Sequence, residues 1–225
     1  MPSDQERARA RQLSAESVAA GDATGWFERL YAEAEAGVSV VPWADGRPDP
    51  HLVEWADSAG LDGAGRRALV VGCGLGYDAE FLAGRGFAVT AFDLAPTAIA
   101  GARRLYPDSP VTYLAADLLD LPADWAGAFD LVVEAYTIQP LYGPVREQAL
   151  AALSGPVAPG GSLLVIARAT EEDEPVRDLA MMPWALTAAE LARAGGPLRA
   201  RRIEKYLDGG DPPRLRWRAE FRRDG

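Results

Sequence analysis

The sequence predicts an α/β fold: one Rossmann-like domain with a seven-stranded, mostly parallel sheet, helices on both faces and a C-terminal antiparallel hairpin. Three observations point there. Compact apolar runs alternate with helix-length segments between residues 67 and 194, the pacing of βαβ units. The first run, RALVVG (67–72), opens onto a glycine loop, VVGCGLGY (70–77), and such a loop is informative when it joins a strand to a helix. The chain ends in LRARRIEKYL (198–207) and RLRWRAEFRR (214–223), joined by DGGDPP. Both alternate in period two, as paired edge strands do.

The elements follow in order. Residues 3–20 read as a polar helix or a loose tail. TGWFERLYAEAEA (24–36) places Phe27, Leu30, Tyr31 and Ala34 at helical spacing, with Thr24 as N-cap and Gly37 past the end. VVPWADGRPDP (40–50) holds three prolines and a glycine and reads as irregular loop. A short helix follows at 51–60. The run at 67–72 fits a buried parallel strand. Helices are expected at 77–84, 96–105, 144–153 and 187–194, and strands at 87–93, 111–114, 129–134 and 162–168.

Composition narrows the function. The 225 residues are 48% hydrophobic and 25% charged, which is ordinary globular usage. There is one cysteine, Cys73, and one histidine, His51. That excludes an internal disulfide framework, a Cys-rich zinc site and any mechanism needing two imidazoles. The net charge is −10, which argues against a nucleic-acid partner. The last 28 residues are nevertheless basic by four charges, read as the solvated outer face of edge strands blunted by arginine. The first 20 residues carry charges throughout and lack the apolar stretch of a secretory signal. No run approaches a membrane span, so a cytoplasmic protein without membrane contact is expected.

The glycine loop lacks the third glycine of a dinucleotide fingerprint and has Tyr77 there. It suits a nucleoside ligand without a diphosphate better than a nicotinamide dinucleotide. Asp93 ends the next strand, 21 residues after Gly72, where a carboxylate can accept from both ribose hydroxyls. AADL (115–118) follows the third strand; Asp117 there can receive an adenine amino group, with Leu118 against the ring.

On these residues the chain resembles the class I S-adenosylmethionine (SAM)-dependent methyltransferases over roughly residues 64–223. The loop and following strand, VVGCGLGYDAEFLAGRGFAVTAFDLA (70–95), are similar to the thiopurine S-methyltransferase and thiol/halide methyltransferase group. Val70 departs from the general class I pattern, which has an acid two residues before the first glycine. The resemblance implies a cofactor site of Trp43, Gly72, Cys73, Gly74, Gly76, Tyr77, Asp78, Asp93, Leu94, Ala116, Asp117, Leu118 and Glu134, with SAM as methyl donor and S-adenosylhomocysteine as product. It also implies the organisation: a polar helix or tail at 1–22, then a methyltransferase domain at 23–225. Residues 23–63 form its lid and substrate segment, 64–225 its core.

Methyl transfer needs alignment, exclusion of water and sometimes removal of a proton, but no protein nucleophile. Aromatic faces attract a sulfonium, which makes Trp26, Phe27, Tyr31, Tyr136 and Trp184 candidates for the substrate wall. Arg168 is a candidate ligand for an acceptor carboxylate. Glu134, Tyr136 and His51 are the candidate proton acceptors, although a helix-capping role fits His51 too. Cys73 reads as a small buried residue beside the cofactor. EAYTIQP (134–140) lacks the N/D-P-P-Y/F signature of enzymes acting on amide or base nitrogens, and no metal is expected. The acceptor is expected to be a small molecule, a thiol first, with O- or N-methylation of a secondary metabolite and non-catalytic SAM binding as alternatives. A monomer or homodimer is expected.

Overall fold

A computed structural model describes residues 4–173, 175 and 177–225. The elements run α1 (Asp4–Ala19), α2 (Trp26–Glu35), α3 (Pro50–Ser58), β1 (Arg67–Val71), α4 (Tyr77–Gly84), β2 (Ala88–Asp93), α5 (Pro96–Leu105) and β3 (Thr112–Ala115). They continue β4 (Phe129–Ala135), α6 (Gly143–Ala152), β5 (Val157–Arg168), α7 (Ala188–Gly195), β6 (Arg199–Leu207) and β7 (Leu215–Arg222). The seven strands form one sheet in the order β3-β2-β1-β4-β5-β7-β6. β1 to β5 pair in parallel, and β7 inserts antiparallel between β5 and β6.

Buried strands alternate their side chains to two cores. One core takes Leu69, Val71, Val132, Leu163 and Val165 with Leu150 and Leu153 of α6 and Leu191 of α7. The other takes Ala68, Val70, Leu131, Val133 and Leu164 with Leu52 and Trp55 of α3, Leu82 of α4 and Ile99 of α5. α1 and α2 form a separate cap. Leu13, Trp26 and Leu30 pack with Met182 and Trp184 from the β5–α7 connection, and Tyr31 packs on Ala95 and Ala98 of α5. The Glu28 carboxylate fastens this cap by accepting from the backbone N–H of Thr97, 3.0 Å away, in the first turn of α5.

Several sequence readings need correction. Of the two readings of the amino-terminal segment the helix is the one found, from Asp4 on and packed through Ala10 and Leu13; its first three residues lie outside the described ones. Thr24 does not cap α2. Gly25 does, without a side-chain bond, and the Asp22 carboxylate accepts from Thr24 and Gly25 N–H. α3 is capped by Asp49, whose Oδ1 accepts from His51 and Leu52 N–H, so His51 is not the cap. β5 begins at Val157, five residues earlier than read, because a register shift opposite Phe129 and Leu131 accommodates the Pro159-Gly160-Gly161 stretch. The solvated hairpin reading holds for β6 and fails for β7. Arg218 of β7 is buried and pairs with Glu54 and Glu204.

Candidate active site

The parallel strands deliver their carboxyl ends to one edge of the sheet, where open α/β sheets bind ligands. β1 ends at the glycine loop. Gly74 has φ +53°, and a Cβ there would stand 2.8 Å from the Tyr31 hydroxyl. Gly76 caps α4 at φ +90°, a conformation that favours glycine. The three glycines of the loop thus bring bare backbone against Thr137, Tyr31 and Tyr113, with no room for a Cβ at any of them.

Asp93 ends β2 beside it, buried. Its Oδ2 accepts from Gly74 N–H at 2.9 Å and its Oδ1 from Ala95 N–H at 2.9 Å. Burial, with Glu28 nearby, pushes this carboxyl above the usual range, against the two amide bonds. Each oxygen keeps a lone pair for a hydroxyl. Leu94 is exposed next to it, and Ala116 N–H donates to Asp93 O, bringing the β3 exit alongside. Asp117 is exposed and accepts from Leu119 N–H at 2.9 Å, capping a short 3-10 turn that contains Leu118. Tyr77 meets Tyr106 edge-on.

Asp78, in the first turn of α4, accepts from Asp49 N–H at 2.7 Å. Burial first, then the Asp49 charge, moves its carboxyl up to about 6. Burial raises the Cys73 thiol well above its ordinary range, which keeps it protonated and unlike an activated nucleophile.

Glu134, in β4, is fully buried. Its Oε1 accepts from Thr137 N–H at 2.7 Å and Ile138 N–H at 3.0 Å, while its Oε2 has no partner among the described residues. Burial moves its carboxyl up to about 7. The folded chain therefore holds a proton that the unfolded chain, with a value of 4.5, has released. Stability is expected to fall as pH rises through this window, by a total on the order of 3 kcal/mol, and to level off above it. Urea unfolding between pH 4.5 and 8 checks this, and Glu134→Gln should flatten the slope. An unchanged slope contradicts the assignment.

The aromatic candidates separate. Tyr31 covers the loop, its hydroxyl accepting from Trp43 Nε1–H at 3.0 Å, and burial raises its phenol. Trp43 is 43% exposed and meets Trp26, Phe27 and Tyr31 edge-on. Trp26 stacks on Phe27 and is fully buried, and Trp184 is buried with its Nε1–H on Asp178 O. Trp26 and Trp184 thus sit in the core of the cap rather than on an open wall. Tyr136 takes φ 60°, unusual for a residue other than glycine. His51 meets the Tyr206 hydroxyl through Nδ1 at 2.9 Å. Tyr206 and Arg216 escaped the sequence reading. The signal was topological: β7 starts where β5 ends, which places Arg216 opposite Arg168.

Residues 69–165 match the family model described as a methyltransferase domain. A ubiquinone biosynthesis O-methyltransferase of Xanthomonas axonopodis pv. citri is 37% identical over 48% of this chain and 45% of its own length. A probable thiol methyltransferase of Arabidopsis thaliana is 28% identical over 62% of this chain and 65% of its own. The chain spans about half the length of the first of these relatives. A solved N-methyltransferase from Bradyrhizobium japonicum, in complex with S-adenosylhomocysteine, superposes with a TM-score of 0.65 at 22% identity, covering 88% of this chain and all of that one. The chain therefore has the Rossmann-like methyltransferase fold in a single domain, with the matched methyltransferase segment running from the first strand through the fifth.

Proposed function

We propose that this chain is a SAM-dependent enzyme that methylates a small molecule, most favourably a thiol. The observation that carries the reading is the bare glycine cradle with the buried Asp93 carboxylate at the end of the next strand, in this fold. Asp93 and the Gly72–Gly76 backbone hold the cofactor. Tyr31 and Trp43 cover it and exclude water, with Phe27 behind them. The cofactor, when bound, supplies an electrophilic methyl group on a sulfonium; the chain aligns the acceptor with it. The homocysteine form is the product. The acceptor is a small molecule rather than a nucleic acid. No helix among the described residues is long and apolar enough to cross a membrane.

The thiol preference rests on the state of the nearby acids. Asp93, Asp49 and Glu134 all commit carboxylate oxygens to backbone N–H groups. A site without a free strong base favours an acceptor that ionises by itself, and a thiol with pKa about 8.5 does so. The Arabidopsis relative supports this. The Xanthomonas relative favours a second reading, O-methylation, in which His51 or Glu134 takes the proton.

Transfer of labelled methyl from SAM to a panel of thiols, phenols and amines tests both. The rate with thiols is expected to rise with pH along each thiol's own ionisation, and to shift when the thiol is changed. A profile fixed by the enzyme across acceptors overturns the thiol reading in favour of a protein base. Absence of transfer to every class, with SAM still bound, leaves a non-catalytic binding protein.

A further inference from the structure

The far side of the same sheet edge carries a positive charge that the described residues do not balance. Arg168 ends β5, and its Cα partner across the β5–β7 pair is Arg216. The Arg216 guanidinium lies 5.2 Å from the centre of the Tyr136 ring and pairs with Asp208 at 2.8 Å. Among the described residues the two fully buried arginines are neutralised as well: Arg146 by Glu190, and Arg218 by Glu54 and Glu204.

Arg168 is the exception. Its Nη1 donates to Pro183 O at 3.0 Å, and among the described residues it has no carboxylate partner. Arg216 faces it across the strand pair, Arg214 lies just ahead of β7, and Arg11 of α1, one turn after Arg7, donates its Nε–H to Met182 O at 3.1 Å next to Pro183. Burial first, then these four cations, holds its guanidinium below the ordinary arginine range. Acids outnumber bases by 33 to 23 in this chain, so an unbalanced basic cluster runs against composition. A half-buried cation without a counter-charge costs stability unless a ligand completes it. With Nη1 engaged, the Nε–Nη2 edge remains, and that edge fits a carboxylate in two-pronged fashion.

The place is that of an acceptor. Arg168 leaves the sheet at the edge that carries the glycine loop. It bonds to the Met182–Trp184 segment that packs under α1 and α2, and Arg216 beside it stacks on the strained Tyr136.

We propose that Arg168, with Arg214 adding to its positive field, is an anion subsite of the acceptor pocket, and that the methyl acceptor carries a carboxylate. This rests on the methyltransferase reading and adds the acceptor's charge to it. Arg168 acts by binding the acceptor, away from the reacting atoms.

The test is calorimetric binding to the full chain saturated with S-adenosylhomocysteine, using 4-mercaptobenzoate and its neutral methyl ester. The acid is expected to bind about tenfold or more tighter, as a charged hydrogen-bond pair provides, and the difference should shrink with salt. Arg168→Gln should bring the ratio close to one, and Arg168→Lys should restore part of it. Arg214→Gln, on a partly exposed residue, should reduce the ratio if Arg168→Gln fails to fold.

A ratio unchanged in a folded Arg168→Gln protein overturns the subsite, as does failure to discriminate acid from ester in both the mercapto pair and a matching hydroxy pair. The same comparison with 4-hydroxybenzoate and its ester separates the two proposals. If only the hydroxy pair discriminates, the subsite stands and the thiol preference falls. If thiols are methylated without regard to charge, the thiol reading stands and the subsite falls.

Discussion

Asp93→Ala is expected to weaken SAM binding by about 1.5–3 kcal/mol, roughly ten- to more than a hundredfold, the worth of hydrogen bonds to a charged group. The geometry adds a second consequence. The Asp93 carboxylate already accepts from Gly74 and Ala95 N–H at 2.9 Å each, so alanine also leaves two buried donors without their acceptor. Each such donor costs about 1–3 kcal/mol, and the loop itself should loosen. Asp93→Asn separates the two effects. An amide oxygen still serves one of the two N–H groups, so stability should recover in part while the charge that favours ribose hydroxyls stays lost. Calorimetry with SAM on each variant, with circular dichroism confirming the fold, measures both. Unchanged affinity in a folded Asp93→Ala protein removes the ribose assignment. Tighter binding of a nicotinamide dinucleotide than of SAM removes the cofactor reading altogether.

The parallel half of the sheet was legible because each strand announces itself twice, by an apolar run and by the turn residue after it. RALVVG followed by glycines and AVTAFD ending in an acid fix β1 and β2 to within a residue or two. α4 and α5 matched the expected spans because a left-handed glycine and a proline mark their starts. Local chemistry of this kind is written next to the residues it governs.

The surroundings of His51, Tyr206 and Arg218 were hidden because their contacts join segments remote in sequence. His51 meets Tyr206 across 155 positions, and Arg218 reaches Glu54 across 164. Period two told that the hairpin existed, but not that β7 would insert between β5 and β6. Only that insertion buries Arg218 and sets Arg216 against Tyr136. The aromatics of the cap were visible as a group, yet their division was not. The same helical spacing turns Trp26 inward and leaves Tyr31 over the glycines, and a helix's orientation on a sheet edge is a tertiary fact.

Arg146→Met should be the most destabilising of the changes considered, at about 3–5 kcal/mol, the usual consequence of removing one partner from a buried ion pair. Arg146 is 1% exposed and bonds Glu190 through Nε at 2.6 Å and Nη2 at 3.2 Å. Its Nη1 also holds the carbonyls of Ile138 at 3.2 Å and Gln139 at 3.1 Å. Those two residues continue the segment that begins at the strained Tyr136, so this arginine ties the wall of the site to α6 and α7. Methionine fills similar volume but takes one of two donors from each carbonyl, leaving Leu141 N–H on Ile138 and Trp184 N–H on Gln139, and leaves the Glu190 carboxylate with Arg177 as its cationic partner among the described residues. Pairing the change with Glu190→Leu should recover part of the loss by removing the stranded charge, while the arginine's own bonds to the two carbonyls stay lost. A double variant as unstable as the two single changes summed means the pair is not coupled, whereas partial recovery measures the coupling. Turnover should fall more in Arg146→Met than SAM affinity does, because the proposed acceptor site includes Tyr136, while the proposed cofactor residues stand at the ends of β1 and β2. Urea unfolding and SAM calorimetry on the four proteins of the cycle check both statements, and an equal loss of SAM affinity and turnover would place Arg146 in support of the whole sheet edge and not of the wall alone.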